Sequence, residues 1–246
     1  MSRFFVEPGD LAGDRAYLHG DDVKHILKVL RLGLGDTVTL CDGLGYDYEA
    51  RLVEADKDRL AFAILEKSVC ENEPNCRVTL YQGLPKAGKM ELILQKCVEL
   101  GVDKIVPFAA QRSVVRLGAK EAQQKCERYR RIAYEAAKQA RRGMVPQVGD
   151  VLQLMKLDLA AYDLLLIAYE EERERTLKSA LRAAKERKEE LKSVGVIVGP
   201  EGGLTADEVA FAVSQGGESI SLGKRILRTE TAGMALAAML FYELEG

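Results

Sequence analysis

From Cys76 onward the chain alternates short apolar runs with amphipathic stretches, and this alternation restricts the fold more than any other feature of the sequence. The run "RVTLYQGL" reads as a strand, "KMELILQKCVEL" as an amphipathic helix stopped by Gly101, and "DKIVPFAA" as a second strand, so a βαβ unit is expected first. A long helix follows over 119–142. Beyond it come a strand in "YDLLLIAYE", a charged helix within 171–192, a strand in "VGVIVGP", a helix opened by "LTADEV", a strand in "SISLG" and a last helix ending at "FYELE". Strands and helices in this order make an α/β fold with a mostly parallel sheet covered by helices, and ligands of such sheets sit at the carboxyl ends of the strands.

Residues 1–72 follow another pattern. "DTVTLCDGLGYDYEARLVEADKDRLAFAIL" holds three runs of β-formers separated by the turn signals Asp42-Gly43 and Ala55-Asp56-Lys57-Asp58. Ahead of them, Val23, Ile26, Leu27 and Leu30 are spaced as on a helix. The polar stretch "ENEPN" at 71–75 is a linker by composition, which divides the chain into domains 1–72 and 73–246.

Composition excludes several functions. Five scattered cysteines without a C-x-x-C pair point to neither a disulfide framework nor a zinc cluster, so no metal is expected. His19 and His25 lie far from the glycine-rich segments, which argues against Ser-His-Asp or Cys-His hydrolysis. No apolar run is long enough to cross a bilayer, and "MSRFFVEPGD" lacks the apolar core of a signal peptide, so a cytoplasmic location is expected. The net charge of −2 conceals an uneven distribution: −5 over 1–72, +3 over 73–119, +5 over 120–142 and −5 over 143–246. The basic middle suits phosphate contact, or is a solvated helix face.

Two glycine turns compete as ligand sites. "GLPKAGKM" at 83–90 nearly completes a phosphate loop, but Met90 stands where a hydroxyl must bind magnesium, so nucleotide hydrolysis is the weaker alternative and an ordinary lysine-bearing turn the stronger. "VGPEGGLTADE" at 198–208 joins an all-apolar strand to a helix whose start is fixed by a Thr205/Glu208 capping box. Its glycines 199, 202 and 203 permit positive φ and close backbone approach, while Glu201 repels phosphate. A ligand held by main-chain groups and tolerant of a carboxylate fits better. A third stretch, "SLGKRILRTETAGMALAAML", places Gly223, three cations, and Thr229 or Thr231 as a helix cap before a helix whose Ala232, Gly233, Ala237 and Ala238 allow close packing within or between subunits.

"GPEGGLTADEV" and "LGKRILRTETA", with "RFFV", "HILKVLRLGLGD", "CDGLG", "AQRSVVR" and "EAAKQARR" in the same order, resemble the 16S ribosomal RNA uridine-N3 methyltransferase family of the SPOUT class. The resemblance covers nearly the whole chain. It implies an N-terminal PUA-like β-barrel and a C-terminal SPOUT domain with a deep trefoil knot, which pattern reasoning would not propose because knots are nearly absent from proteins. It also implies S-adenosyl-L-methionine as cofactor, 16S ribosomal RNA or the small ribosomal subunit as partner, and a homodimer. The sulfonium cation of that cofactor is compatible with Glu201. A catalytically silent RNA-binding module of the same fold is the other alternative.

By position, the resemblance places Gly199, Glu201, Gly202, Leu222, Gly223, Ile226, Leu227 and Thr229 around the cofactor, with Leu222, Ile226 and Leu227 equally suited to a core. Arg228 is the candidate cation beside a uracil carbonyl, and Glu230 or Glu201 the proton acceptor, although Glu230 could instead orient Arg228. For RNA, helical spacing puts Arg128, Arg131, Lys138 and Arg142 on one stripe, opposite a buried stripe of Cys126, Tyr129, Ala133, Ala136 and Ala140. Arg112 and Arg116 are added from "QRSVVRL", and Arg3, Lys28 and Arg31 from the N-terminal part.

Overall fold

The computed structural model describes residues 2–86 and 88–245. They form two compact units: Met1–Glu73 with Ala137–Val145, and Pro74–Ala136 with Pro146–Gly246. The expected cut after residue 72 leaves Ala137–Val145 on the far side, because a return of the chain over such a distance has no signature in local composition.

In the first unit the strands are β1 (Arg3–Phe5), β2 (Leu11–Ala12), β3 (Arg15–His19), β4 (Thr37–Cys41), β5 (Tyr46–Ala55) and β6 (Arg59–Val69). They pair in the order β1-β4-β5-β6-β3-β2, an open path rather than a closed ring among the described residues. Only β1 and β4 run parallel. The expected helix is α1 (Asp21–Lys24), which loosens into a π-helical segment, His25–Leu30. Val23 and Ile26 bury themselves among Phe4, Val38, Leu40, Leu52 and Phe62. Each such side chain contributes about 1.5–3 kcal/mol by leaving water. Glu73 fixes the returning segment: its carboxylate accepts from Arg142 Nε at 2.9 Å, Gly143 N at 2.6 Å and Met144 N at 3.0 Å.

The second unit contains β7 (Arg77–Gly83), β8 (Lys104–Ala109), β9 (Gln147–Val148), β10 (Leu152–Gln153), β11 (Leu164–Ala168), β12 (Ser193–Val198) and β13 (Gly217–Ile220). The order β10-β8-β7-β12-β11-β13, with β9 beside β8, is parallel throughout. β12, with its apolar run from Val194 to Val198, is central, between β7 and β11, where a strand is covered on both faces. The helices are α2 (Lys89–Glu99), α3 (Ala119–Gln139), α4 (Leu177–Arg187), α5 (Ala206–Ser214) and α6 (Thr229–Glu245). Gly101 follows α2 at φ +111, a conformation that ends the helix at little cost only for glycine.

The small residues of α6 are spent within the chain. Ala232, Gly233 and Ala237 are buried, and a Cβ on Gly233 would stand 3.4 Å from Gln82 Oε1 and from Leu80 Cδ2. Ala238, by contrast, is exposed.

Candidate active site

Because the sheet is parallel, the turns that leave β7, β11, β12 and β13 gather at one edge. The turn after β12 is held from both sides. Downstream, Thr205 and Glu208 form the expected capping box, Thr205 N donating to Glu208 Oε2 at 2.9 Å. The Glu208 carboxylate, 1% exposed, also accepts from Gln111 N at 2.8 Å. Its partners make burial of that carboxylate tolerable. Upstream, the turn lies so close to β7 that a Cβ on Gly83 would stand 2.5 Å from Pro200 Cδ.

The glycines of this turn serve two purposes. Only Gly203 has positive φ, +70. Gly199 and Gly202 are required instead by close approach: a Cβ on Gly202 would meet Arg112 O at 2.8 Å, and one on Gly199 would meet Gly203 C at 3.1 Å. On the other turn, Gly223 adopts φ +108 in open space.

Thr229 joins the two turns. It is the first residue of α6, and its hydroxyl donates to Gly199 O at 2.7 Å rather than capping the helix, while accepting from Gln82 Nε2 at 2.8 Å. The start of α6, the end of β7 and the turn after β12 are thereby fixed to one another.

Between the turns lies a cavity of about 540 Å³, within the range that holds a small-molecule ligand. Gly199, Glu201, Gly202, Leu222, Gly223, Ile226, Leu227 and Thr229 all line it, as does Arg228. Ile226 is 86% exposed, which rejects a core role for it and leaves an apolar side chain facing open space. Leu222 and Leu227 are half-buried. Glu230 is not in the wall. It reaches Lys89 instead, which is.

Lys89 is the residue that sequence reasoning misjudged. Its Nζ lies 3.0 Å from Glu201 Oε1 and 3.2 Å from Glu230 Oε2. The Lys86 amide also donates to Glu201, at 3.2 Å. The loop that resembles a phosphate cradle therefore grips a carboxylate of its own chain, and Met90, 3% exposed, is a core residue. This weighs against the nucleotide-hydrolase alternative: two donors that would meet a phosphate, the Lys86 amide and the Lys89 ammonium, are already engaged by Glu201. Burial pushes the Glu201 carboxyl up, but Lys89 and the Lys86 amide more than reverse it, so its pKa falls below the usual 4.5. Glu230 is also lowered, chiefly by its own backbone N–H and, against burial, by Lys89; Arg228 contributes least. Lys89 in turn is raised, by Glu201 first and Glu230 second. Glu230 is thus paired with Lys89, while Arg228 acts on it only as a weaker, longer-range charge.

The segment after β11 was also missed. Ala168, Tyr169, Glu170 and Arg173 line the cavity. The rule that ligands collect at carboxyl ends of parallel strands points to it, since β11 lies between β12 and β13. Its shape depends on Glu172, whose carboxylate accepts from Ser219 Oγ at 2.6 Å, Glu174 N at 2.9 Å and Arg175 N at 3.1 Å. These donors, Ser219 first, hold its pKa down to about 2.

The expected RNA-binding cations differ in exposure and in what engages them. On α3, Cys126, Tyr129, Ala133 and Ala136 are buried, and Arg128 and Arg131 exposed, as the periodicity requires; Ala140 falls beyond the helix and is half-buried. Arg128 pairs with Glu91 at 2.8 Å. Lys138 pairs with Asp22 at 2.6 Å and lies over the Phe4 ring. Arg142 is a correction: it lies past the end of α3, 3% exposed, bound to Glu73. Arg3 is another, paired with Asp47 and donating to Arg142 O at 3.1 Å. Arg112 donates to Leu204 O at 3.2 Å, supporting the glycine turn. Arg116, Lys28 and Arg31 are exposed, Arg31 with a left-handed backbone at φ 55. Among the described residues there is no cluster of His, Cys, Asp and Glu suited to a metal, and no helix long and apolar enough to cross a membrane.

Comparison with known proteins agrees with this geometry. Residues 71–241 match the RNA methyltransferase domain family, and residues 18–65 the RNA methyltransferase PUA domain. Ribosomal RNA small subunit methyltransferase E of Bacillus subtilis is 36% identical over 250 residues, covering 100% of this chain and 98% of the relative. The Mycobacterium bovis protein of the same name is 31% identical, over 96% of this chain and 90% of its own. Among solved structures, the Neisseria gonorrhoeae ribosomal RNA small subunit methyltransferase E bound to S-adenosyl methionine superposes with a TM-score of 0.83 at 32% identity, covering 99% of this chain and 98% of that one. A Legionella pneumophila methyltransferase with bound cofactor gives 0.81 at 26% identity, over 98% and 96%. The chain belongs to the RNA methyltransferase family that includes these ribosomal RNA small subunit methyltransferases E.

Proposed function

We propose that this chain transfers a methyl group from S-adenosyl-L-methionine to N3 of a specific uridine in 16S ribosomal RNA. The observation that carries the reading is the cavity between two glycine turns, whose lining includes the apolar side chains of Ile226, Leu222 and Leu227 together with Glu201. These groups fit a cationic ligand with a flat aromatic part, since the glycines lack side chains that would hold it off. Gly199, Gly202, Leu222, Gly223, Ile226, Leu227 and Thr229 would hold it, and when bound it supplies a methyl group on a sulfonium centre.

The remaining steps fall to the protein. A cavity of this size admits one base, so the target uridine has to leave its stack to enter. N3 of uracil carries a weakly acidic hydrogen, and negative charge develops on the carbonyl oxygens as it departs. Arg228, exposed at the cavity wall, is positioned to stabilise that charge. Glu201 faces the cavity and is ionised near neutral pH, which makes it the proton acceptor; Glu230, turned toward Lys89, is a positioning residue.

A knotted threading of the C-terminal segment rests on the resemblance of the turns after β12 and β13 to those of the SPOUT class, and Thr229 Oγ1, donating to Gly199 O, fastens the start of α6 to the first of them. Tyr242, 82% exposed, and Met239 beside the half-open groove formed with Leu177 and Leu181 support a homodimer through α6. A ribosomal RNA substrate and five unbridged cysteines accord with action in the cytoplasm. Small-subunit ribosomal RNA incubated with the chain and S-adenosylmethionine should yield 3-methyluridine on mass-spectrometric nucleoside analysis. No methylated nucleoside, or methylation on another atom, would reject the proposal.

A further inference from the structure

We propose that Arg173, Lys224 and Arg225 form a grip for the phosphates that flank the target nucleotide, at the mouth of the cavity. The inference rests on the methyltransferase reading and adds to it the place where the RNA strand is held.

The three side chains come from two loops, those leaving the neighbouring parallel strands β11 and β13, and all line the one cavity. All three are exposed. Among the described residues none of the three is in an ion pair or a side-chain hydrogen bond. That distinguishes them from nearby cations: Arg175 and Arg187 both turn to Glu218, Arg187 at 2.7 Å. It also distinguishes them from Arg128, Lys138 and Arg142 at the basic centre of the sequence, which are engaged by Glu91, Asp22 and Glu73. Of the nearby carboxylates, Glu170 in the cavity wall lies against the backbone of Gly203, and Glu172, next to Arg173 in the chain, accepts from Ser219 and from the Glu174 and Arg175 amides.

Three unpaired cations exceed what one amino-acid-bearing cofactor needs, since its single carboxylate neutralises one of them. A polyanion neutralises all. A single-stranded segment with one base turned into the cavity leaves the phosphates on either side of that nucleotide at the rim, where these loops stand. Exposed cations before binding are compatible with this role, because release of counterions from the nucleic acid, and not burial of the protein charge, supplies the affinity.

The test is the salt dependence of binding to small-subunit ribosomal RNA, for the full chain and for the variant Arg173→Gln/Lys224→Gln/Arg225→Gln. Each phosphate contact to a single strand contributes about 0.7 to the slope of log affinity against log salt, so the variant should lose about 2 from that slope. Arg182→Gln, which removes an exposed cation of α4, should leave the slope unchanged. An unaltered slope in the triple variant, or an equal loss in Arg182→Gln, would overturn the grip. Calorimetric titration with S-adenosylmethionine separates the two levels of inference. Failure of the unmodified chain to bind the cofactor would reject the methyltransferase reading. A triple variant that loses cofactor affinity while keeping the RNA slope would assign these cations to the cofactor and overturn the proposal.

Discussion

Lys89 Nζ lies 3.0 Å from Glu201 Oε1, and the same ammonium reaches Glu230 at 3.2 Å, so one cation ties a carboxylate of the glycine turn to a carboxylate at the start of α6. Both carboxyls are held below the usual 4.5 and Lys89 above its usual 10.5. A lowered carboxyl contributes stability that is present above its unfolded pKa and lost as pH falls through the folded value; a raised ammonium contributes stability lost as pH rises through its folded value. The melting temperature of Lys89→Met should therefore fall below that of the unmodified chain across neutral pH, with the gap closing toward both acid and strong alkali. A gap independent of pH would mean that Lys89 acts through packing alone.

Thr229→Val keeps the shape of a buried side chain and removes its hydroxyl. Gly199 O loses its donor and Gln82 Nε2 one acceptor, at a cost of about 1–3 kcal/mol. Urea unfolding should register that loss, and calorimetry a weaker affinity for S-adenosylmethionine, both restored in Thr229→Ser. Unchanged cofactor affinity in the Val variant would separate this bond from the cavity.

Gly83→Ala tests the support behind the turn. Its Cβ would meet Pro200 Cδ at 2.5 Å and Pro200 N at 2.6 Å, and backbone cannot give way as a flexible side chain does. A destabilisation of about 1–3 kcal/mol is expected, together with weaker cofactor binding. Thermal melting with and without the cofactor checks both.

Arg228 is exposed at the cavity wall, so its removal should spare the fold. Arg228→Ala is expected to lower the rate of methyl transfer by about 100- to 1,000-fold with cofactor affinity retained, as for loss of a group that acts on transition-state charge. Single-turnover kinetics at saturating cofactor measures this, and an unaltered rate would remove Arg228 from the reaction.

The parts of the fold legible in the sequence are those fixed by local rules. The apolar run of β12 required a central parallel strand, and Thr205 with Glu208 fixed the start of α5. The eight residues expected around the cofactor line one cavity because they sit on two turns whose chemistry is local. What stayed hidden depends on partners distant in sequence. Arg142 looked like one more cation on an amphipathic stripe until Glu73, on the other side of β7, proved to hold it. Lys89 looked like a phosphate ligand because nothing near it in the chain reveals that Glu201 and Glu230 come to meet it.

The central claim is that the main chain of the turns after β12 and β13 holds the methyl donor. Backbone amide chemical shifts recorded during titration with S-adenosylmethionine test it most directly. The amides of Gly199, Glu201, Gly202 and Gly203 and those of residues 222–229 should move together and saturate together, while ATP with magnesium leaves Lys86, Gly88 and Lys89 in place. Stationary amides in both turns under the cofactor, with saturable shifts of Lys86, Gly88 and Lys89 under the nucleotide, would contradict it.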